Sequence, residues 1–533
     1  MLYFIPAWYQ QNRWRENEQN WYARRTHSEF DDTVKHIQLF HRSSAYPFQI
    51  MLLSFAPNFR HFLHRQSVYH APYWSCFDAI QEIRRKKARM LSFHNLNWPA
   101  NIEFVYTPFV VMAMQHGEKY AQIEFGEDGN PIQIDMYREE KISRRNIYDD
   151  RGFIASTIVY EEGIPIYEDY LTEKGIWKMR HFCQDGHVEI NPNSTTYLLL
   201  YEGKEQTKNF LQLSYEGMEQ VIFEVLSSYL ELTNEKDLFC VAMHELHTEL
   251  LKKALKDKKM ILSFFEDRYQ VEDHREDIDM IESADYIITD SQENISNIRK
   301  GIGKKLWNIS DITPFDSRVD FGISQQLNVQ KILVPVDGIE DAVFEELIRR
   351  LGEYLPTNEN ARIHLFTRLA DYDRKKRLLE QTRQCLSNAG LEEEWAAEAT
   401  SGNVAENDVD ETDEVPVLFF VEQCVDELAV SKCMREQRLI VDMRNTTELY
   451  LRITGISVGI PQIVYTESQF VEHEKNGFVL KDMEHLAEAI RYYLDSLKNW
   501  NEAMVYSFEL GKNYTTGVLI EEWKEVIEFV GRD

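Results

Sequence analysis

No glycine precedes Gly117 in this chain of 533 residues. Nucleotide-binding α/β domains place glycine in the turn after their first strand, because its missing side chain lets backbone amides approach a phosphate. Residues 2–5 have the apolar pattern of such an opening strand, yet no glycine follows them. The sequence therefore excludes a glycine-rich phosphate loop at its first strand.

Paired cysteines, long apolar runs and a leader segment are also missing. The six cysteines form no C-x-x-C pair, which is typical of a reducing compartment and not of a disulfide framework. No apolar run approaches the ~18–20 residues that span a membrane. The opening residues MLYFIPAW lack the basic leader of a signal peptide. We therefore expect a cytoplasmic protein.

Positive side chains are outnumbered, 59 Lys+Arg against 89 Asp+Glu, and the net charge of −30 is unevenly distributed. Residues 1–100 hold 13 Lys+Arg against 7 Asp+Glu, so the remaining residues together carry −36. Such an acidic body argues against nucleic acid as a partner, because binding requires cations that neutralise phosphates. The densest basic cluster comprises Arg84, Arg85, Lys86, Lys87 and Arg89. It is either an exposed helix end or a contact to anionic lipid headgroups or an acidic partner.

Short apolar segments alternate with helical patterns in two parts of the chain. The first set lies at 2–5, 46–56, 238–243, 260–265, 286–289 and 306–309. The second set lies at 331–336, 363–366, 416–421, 439–441 and 462–465. Strand–helix alternation implies parallel sheets covered on both faces. The first set is interrupted between residues 56 and 238. In this interval, glycines at 163, 175 and 186 have the spacing of an antiparallel meander.

We therefore predict an α/β protein of two Rossmann-like, doubly wound domains, with an antiparallel β-meander inserted in the first. The first domain comprises 1–100 and 216–320, on either side of the β-rich insertion 101–215. The second covers 321–505 and contains the segment 391–415, which holds ten acidic residues and no Lys or Arg and is expected to be a solvated loop. An amphipathic closing helix occupies 506–533.

Residues 446–480 carry the most informative pattern. An apolar helix ends at Gly459, and Pro461 blocks its continuation into the strand that follows. The run resembles the C-terminal half of GT-B glycosyltransferases, in which two glutamates precede the same Gly and Pro. The resemblance implies a GT-B-like fold.

The residues at the two glutamate positions of that pattern are not acidic. The positions fall on Thr446 and Thr454, and Glu448 is two residues out of register, which on a helix is a different face. GT-B enzymes also carry cations after the first strand of this domain, where they neutralise the donor diphosphate. Here that strand, 331–336, leads into Asp337 and Asp341, with Glu340 between them.

Three carboxylates would repel a diphosphate by several kcal/mol in a poorly screened cleft. We therefore expect no transferase activity and no bound cofactor. The alternative is an active or accessory glycosyltransferase subunit that modifies serine-rich proteins.

Three further segments are similar to one protein family: FIPAWYQ at 4–10, the meander runs within 147–194, and ITPFDSRVDFGISQQ at 312–326. Together they resemble the first of the three accessory Sec system proteins (the Asp family) of Gram-positive bacteria, over nearly the whole chain. The resemblance implies a GT-B-like export factor that is not an enzyme. It also implies a complex with the other two accessory Sec proteins and the accessory Sec ATPase, acting on serine-rich glycoprotein adhesins. Basic N-terminal residues would allow peripheral contact with anionic membrane at the inner face of the cell.

Other motifs have a structural and a functional interpretation. Residues 455–459 match the G-x-S-x-G nucleophile elbow, but they close a helix instead of opening one, which favours a structural helix end. Residues 244–247 fall one short of a zinc-protease signature, so we expect a polar helix face and no metal. The aromatic side chains of Trp8, Trp14 and Trp21 either line a partner interface or belong to the core.

Overall fold

The computed structural model describes residues 1–10, 12–16, 30–302, 307–396, 416–446 and 448–532. Seven strands form the first sheet: β1 Leu2–Ile5, β2 Phe48–Leu52, β3 Tyr73–Ser75, β16 Leu238–Ala242, β17 Lys259–Phe264, β18 Tyr286–Thr289 and β19 Ile309–Asp311. They are all parallel, in the order β19-β18-β17-β16-β1-β2-β3. The central strands are buried on both faces, which explains why their sequences are continuous apolar runs. Of the predicted strand at 306–309, residue 306 lies outside the described residues, and the observed strand begins only at Ile309.

Helices cover both faces of this sheet. They are Asp32–Ser43, Phe59–Arg65, Cys76–Ile80, Met218–Leu230, Glu245–Ala254, Ile278–Ser283 and Gln292–Ile302. The first begins where the Asp31 side chain accepts a hydrogen bond from the Val34 amide at 3.0 Å, the usual N-cap arrangement. Its Phe40 then packs edge-on against Phe4 of β1, with ring centroids 5.5 Å apart.

The predicted meander is inserted between β3 and β16. Its strands are β4 Ile102–Tyr106, β5 Val111–Gln115, β6 Glu118–Phe125, β7 Pro131–Arg138, β8 Lys141–Asp149, β9 Phe153–Glu161, β10 Ile164–Leu171, β11 Trp177–Phe182, β12 Val188–Ile190, β13 Thr196–Tyr201, β14 Lys204–Asn209 and β15 Ser214–Tyr215. Ten of them form one antiparallel sheet in the order β15-β12-β11-β10-β9-β8-β7-β6-β5-β4, and β13 and β14 pair as a separate hairpin. Gly163 and Gly175 occupy turns with φ of 83° and 78°, which a residue with a side chain rarely adopts.

The second Rossmann-like domain has a six-stranded parallel sheet. Its strands are β20 Gln330–Pro335, β21 Ala361–Thr367, β22 Phe419–Gln423, β23 Gln437–Asp442, β24 Gln462–Val464 and β25 Gly477–Val479. Their order is β22-β21-β20-β23-β24-β25. The covering helices are Asp341–Tyr354, Arg374–Asn388, Glu427–Glu436, Leu449–Val458 and Leu486–Leu494. Gly459 ends the fourth of these with a φ of 81°, as the sequence predicts.

The end of the chain crosses back to the first domain. The helix Leu497–Gly511 packs Trp500 into the core of the second domain. The helix Thr516–Gly531 then packs Trp523 against Phe40, with ring centroids 5.3 Å apart. The predicted boundary between residues 505 and 506 is therefore wrong, because it falls inside a continuous helix.

Two other predictions concern charge and membrane insertion. Of the acidic segment 391–415, residues 397–415 lie outside the described residues, and Glu393–Ala396 forms one 3-10 turn. Within the described ranges, no helix is both long and apolar enough to cross a membrane.

Candidate functional site

The carboxyl ends of both parallel sheets face one cleft between the two Rossmann-like domains. Its volume is about 1520 Å³. The first domain lines it with the loops after β17 and β18, and the second with the loops after β20, β21, β23 and β24. Parallel α/β sheets bind ligands at this end of their strands, where loops converge. This interdomain cleft is therefore the candidate site.

Asp337 follows β20 and lies in the cleft. Its carboxylate accepts hydrogen bonds from the Thr367 hydroxyl at 2.6 Å, the Arg368 amide at 2.7 Å and the Arg374 guanidinium at 3.0 Å. Arg374 thus offsets part of the charge that was expected to repel a diphosphate. Asp341 is exposed and does not line the cleft, since it begins the helix Asp341–Tyr354, where the helix dipole favours an acid.

Two arginines line the cleft that sequence reasoning did not single out. Arg368 pairs with Glu448, and its guanidinium lies 3.5 Å from the centre of the Phe30 ring. Arg444 donates to both oxygens of Asp442, at 2.8 and 3.0 Å, and lies 3.5 Å from Glu448. Arg368 directly follows β21 and Arg444 is the second residue after β23, so the convergence of strand ends could have identified them. Each cation is held by a carboxylate of the chain.

Glu448 lies in the cleft. The sequence had predicted a different helix face for it, because it is two residues out of register with the glutamate positions of the GT-B pattern. The helix begins only at Leu449, and Glu448 is its N-cap residue, with φ −91° and ψ 103°. An N-cap residue has not entered the helix, so helical face positions do not apply to it. Arg368 and Arg444 hold the Glu448 carboxylate between them.

The two threonines at the glutamate positions are separated in the structure. Thr446 lines the cleft and is exposed. Thr454 does not line it, and its hydroxyl donates to the Tyr450 carbonyl at 2.7 Å, a common bond for threonine within a helix. Of these two threonines, only Thr446 is placed to contact a ligand in the cleft.

Carboxylates dominate the electrostatics of the space between the domains. Glu266 and Asp290 come from the first domain and Glu448 from the second. Partial desolvation, together with the Glu448 and Asp290 carboxylates, raises the pKa of Glu266 to about 8. Desolvation also raises the pKa of Asp290. Acids that disfavour one another's charge would also disfavour an additional anion.

The family model that describes the first accessory Sec system protein, subunit one of the Asp family, matches residues 1–529. The chain belongs to this family. The accessory Sec system protein of the same subunit from Streptococcus gordonii is 31% identical over 534 residues, which cover 98% of this chain and 98% of that protein. Its counterpart from Staphylococcus aureus is 29% identical over 534 residues, which cover 99% of each. The resemblance predicted from the sequence is confirmed.

Solved structures agree with this assignment. A chain of the Glycosylation Associate Protein (Gap123) complex from Streptococcus agalactiae is 29% identical, with a TM-score of 0.78 and coverage of 99% of this chain and 100% of that chain. A chain in the structure of accessory secretory proteins 1, 2 and 3 in Streptococcus pneumoniae is 28% identical, with a TM-score of 0.79 and full coverage of both. The pneumococcal O-GlcNAc transferase GtfA is 12% identical with a TM-score of 0.63, covering 100% of this chain and 99% of that one. That likeness shows the fold alone and confirms the GT-B-like fold class.

The basic cluster of this accessory Sec family member lies in an irregular segment before β4, so the helix-end interpretation is wrong. Two of its residues are engaged within the chain. Arg84 Nε lies 3.1 Å from Glu205, and Arg85 Nη1 donates to the Arg151 carbonyl at 2.8 Å. The remaining residues of the cluster, Lys86, Lys87 and Arg89, are exposed.

Two of the three candidate interface tryptophans belong to the core. Trp8 and Trp14 are each 8% exposed. Trp8 packs on Phe62 with ring centroids 4.8 Å apart, and the Trp14 indole donates to Glu219 at 3.1 Å. They offer no surface to a partner, whereas Trp21 lies outside the described residues.

The two rival catalytic motifs have structural roles. Ser457 closes the helix Leu449–Val458, and its hydroxyl lies 3.1 Å from that of Ser317. His247 is fully buried, donates from Nε2 to the Ala242 carbonyl at 2.8 Å and accepts at Nδ1 from the Tyr9 hydroxyl. Burial, aided by His244, lowers the pKa of His247 to about 3, so its ring is neutral.

Proposed function

We propose that this chain is a non-catalytic component of the accessory Sec system that supports export of serine-rich glycoprotein adhesins from the cytoplasm. Its full-length correspondence with one chain in each of two solved complexes supports this function most directly. Its partners would be the other two accessory Sec proteins, the accessory Sec ATPase and the adhesin substrate.

The charges that line the interdomain cleft support a chain without catalytic activity and without a bound cofactor. A diphosphate entering it would meet Asp290 and Glu448, in a space that disfavours negative charge enough to raise the pKa of Glu266 to about 8. Arg368 and Arg444 could attract it only by releasing acids that they now neutralise. That exchange leaves the Glu448 carboxylate, whose side chain is 14% exposed, without its cations, which is costly.

The partners can be tested by affinity capture of the tagged full chain from the cytosol of its own cells. We expect the other two accessory Sec proteins in stoichiometric amounts and the accessory ATPase at lower recovery. An unrelated protein of similar size and net charge, carrying the same tag, serves as the control. Capture of a glycosyltransferase without the accessory proteins would favour the alternative, an accessory transferase subunit.

Nucleotide-sugar binding separates the proposed function from an active glycosyltransferase. Calorimetry with UDP-GlcNAc and UDP-glucose at about 1 mM should give no saturable heat, because the cleft repels the diphosphate. A GT-B transferase measured in the same buffer provides the positive control. Saturable one-to-one binding, followed by release of UDP on a serine-rich peptide, would overturn the proposed function.

We also propose that the exposed cations Lys86, Lys87 and Arg89 contact anionic membrane at the inner face of the cell. Each cation near an anionic surface contributes about 1 kcal/mol, so replacing all three with Glu should weaken binding to phosphatidylglycerol vesicles by about 100-fold. The control replaces Lys498, Lys512 and Lys524 with Glu, which produces the same change of charge at side chains that are 81%, 67% and 43% exposed near the other end of the chain. Equal losses in both variants would show that net charge, and not this segment, governs binding.

A further inference from the structure

A compact group of potential metal ligands lies in the second domain, beside the cleft but not in its lining. Glu422, Cys424 and Cys433 offer a carboxylate oxygen and two sulfurs that all lie within 4.8 Å of one another. The thiols are buried, with Cys424 5% and Cys433 9% exposed. The Glu422 side chain is 28% exposed, which leaves a path from solvent.

The local fold explains how these three residues meet. Glu422 lies in β22 and Cys424 just beyond it, and residues two apart in an extended chain point to the same side. The Cys424 amide donates to the Thr367 carbonyl at 2.9 Å and so fixes the end of the strand. The helix Glu427–Glu436 then returns the Cys433 thiol to within 4.8 Å of the Cys424 thiol.

A further side chain orients the carboxylate. His364 is fully buried in β21, and its Nδ1 lies 2.9 Å from Glu422 Oε1. Its Nε2 is buried without a hydrogen-bond partner among the described residues, so the ring proton belongs on Nδ1, from which it is donated to Glu422. Carboxylates that bind metal are commonly held by such a second hydrogen bond.

We propose that Glu422, Cys424 and Cys433 bind a zinc ion, with His364 positioning the carboxylate. Two thiolates select a soft divalent metal over magnesium or calcium, and mixed sulfur and oxygen sets suit zinc. Ligands at about 2.0–2.3 Å from zinc lie roughly 3.3–3.8 Å apart, so the three ligand atoms need to move together by at most about 1–1.5 Å. Water reaching the site past Glu422 would complete the tetrahedron.

Such a site would connect the sheet of the second domain to the first domain. It would fasten the helix Glu427–Glu436 to β22. Glu427, at the start of this helix, pairs with Lys35 of the first domain, whose Nζ lies 2.7 Å from its carboxylate. The metal would therefore have a structural role, limiting movement of the helix that touches both domains.

Cobalt titration of the full chain tests this proposal. The protein is kept reduced, stripped with a chelator and titrated with Co²⁺, whose thiolate complexes absorb in the near ultraviolet and visible. We expect saturation at one Co²⁺ per chain, displacement by Zn²⁺, and a higher unfolding temperature with Zn²⁺. The double variant C424S/C433S should lose the thiolate band. The control C76S/C385S replaces two other buried cysteines and should keep it.

Milder variants guard against misfolding of the double cysteine variant. E422Q and H364Q retain the side-chain size and should each weaken Co²⁺ binding by about 10- to 100-fold, while the band is retained at saturation. Absence of the band in the unchanged chain would overturn the proposal. A band that survives in C424S/C433S would also overturn it. A third contrary result is a protein that binds no metal and, in air, loses two hydrogens by forming a Cys424–Cys433 disulfide.

Discussion

Replacing Asp442 with asparagine is expected to lower the free energy of unfolding by about 3–5 kcal/mol. Asp442 is 1% exposed and ends β23. It binds Arg444 through both oxygens and Arg452 at 3.0 Å, and these guanidinium groups are themselves buried. The amide would leave the buried Arg452 without a counter-charge, and Arg444 would keep only Glu448, which lies 3.5 Å away and is shared with Arg368. Urea unfolding followed by circular dichroism measures the loss.

Asp482→Asn is the matched control for this variant, because Asp482 belongs to the same domain but its side chain is 54% exposed. Its unfolding free energy should stay within about 0.5 kcal/mol of the unchanged chain. A loss below about 1 kcal/mol for Asp442→Asn would show that the arginines find other partners and would contradict the expected result.

The stability contributed by Asp442 should also depend on pH. Burial disfavours its carboxylate, but Arg444 and Arg452 outweigh that effect and hold the pKa below its ordinary value. A lowered carboxyl pKa gives stability that is present above the unfolded-state value, about 3.9, and is lost as the pH falls further. The difference between the unchanged chain and Asp442→Asn should therefore be constant from about pH 5 to 8 and shrink by about 1.4 kcal/mol per pH unit below about 4. A constant difference down to about pH 3 would contradict this.

Arg60→Met is expected to destabilise the chain by a similar amount, about 3–5 kcal/mol. Arg60 is 3% exposed and joins the first domain to the β insertion. Its Nε donates to Asp150 at 2.6 Å and its Nη2 lies 3.2 Å from Asp149. Methionine fills a similar volume but leaves Asp150 buried without this cation. Urea unfolding gives the loss of free energy, and hydrogen exchange in β8 reports whether the insertion loosens.

Arg138→Met provides the comparison for Arg60→Met, because Arg138 is an exposed residue at the end of β7 in the same insertion. It should change the free energy of unfolding by less than about 0.5 kcal/mol. Equal effects of the two variants would mean that burial of the Asp149–Asp150 pair does not govern stability.

Much of the architecture can be predicted from the sequence because the signals for strands and turns are local. A run such as Lys331 to Val336 is apolar throughout most of its length because both faces of a parallel strand are buried. Gly459 ends its helix because a left-handed residue is required there. The glycines at 163, 175 and 186 mark turns for the same reason. These features identified two doubly wound domains and the inserted meander.

The chemistry of the cleft could not be predicted in this way. Arg368 and Glu448 are 80 residues apart, and Arg444 reaches the same acid from another loop. Glu448 was assigned to the wrong face because only the folded backbone shows that the helix begins after it. For Trp8, composition alone could not distinguish a core position from an interface.

The sequence by itself determined the family, the order of strands and helices and the absence of a glycine-rich phosphate loop, since each depends on residues that are neighbours in the chain. The tertiary structure alone decided which charges meet. It brought Arg368 and Arg444 to the cleft acids, buried Trp8 and Trp14, and joined Lys35 to Glu427 across 392 residues. Such pairs depend on how distant loops converge at the ends of parallel strands, and that convergence leaves no local pattern in the chain.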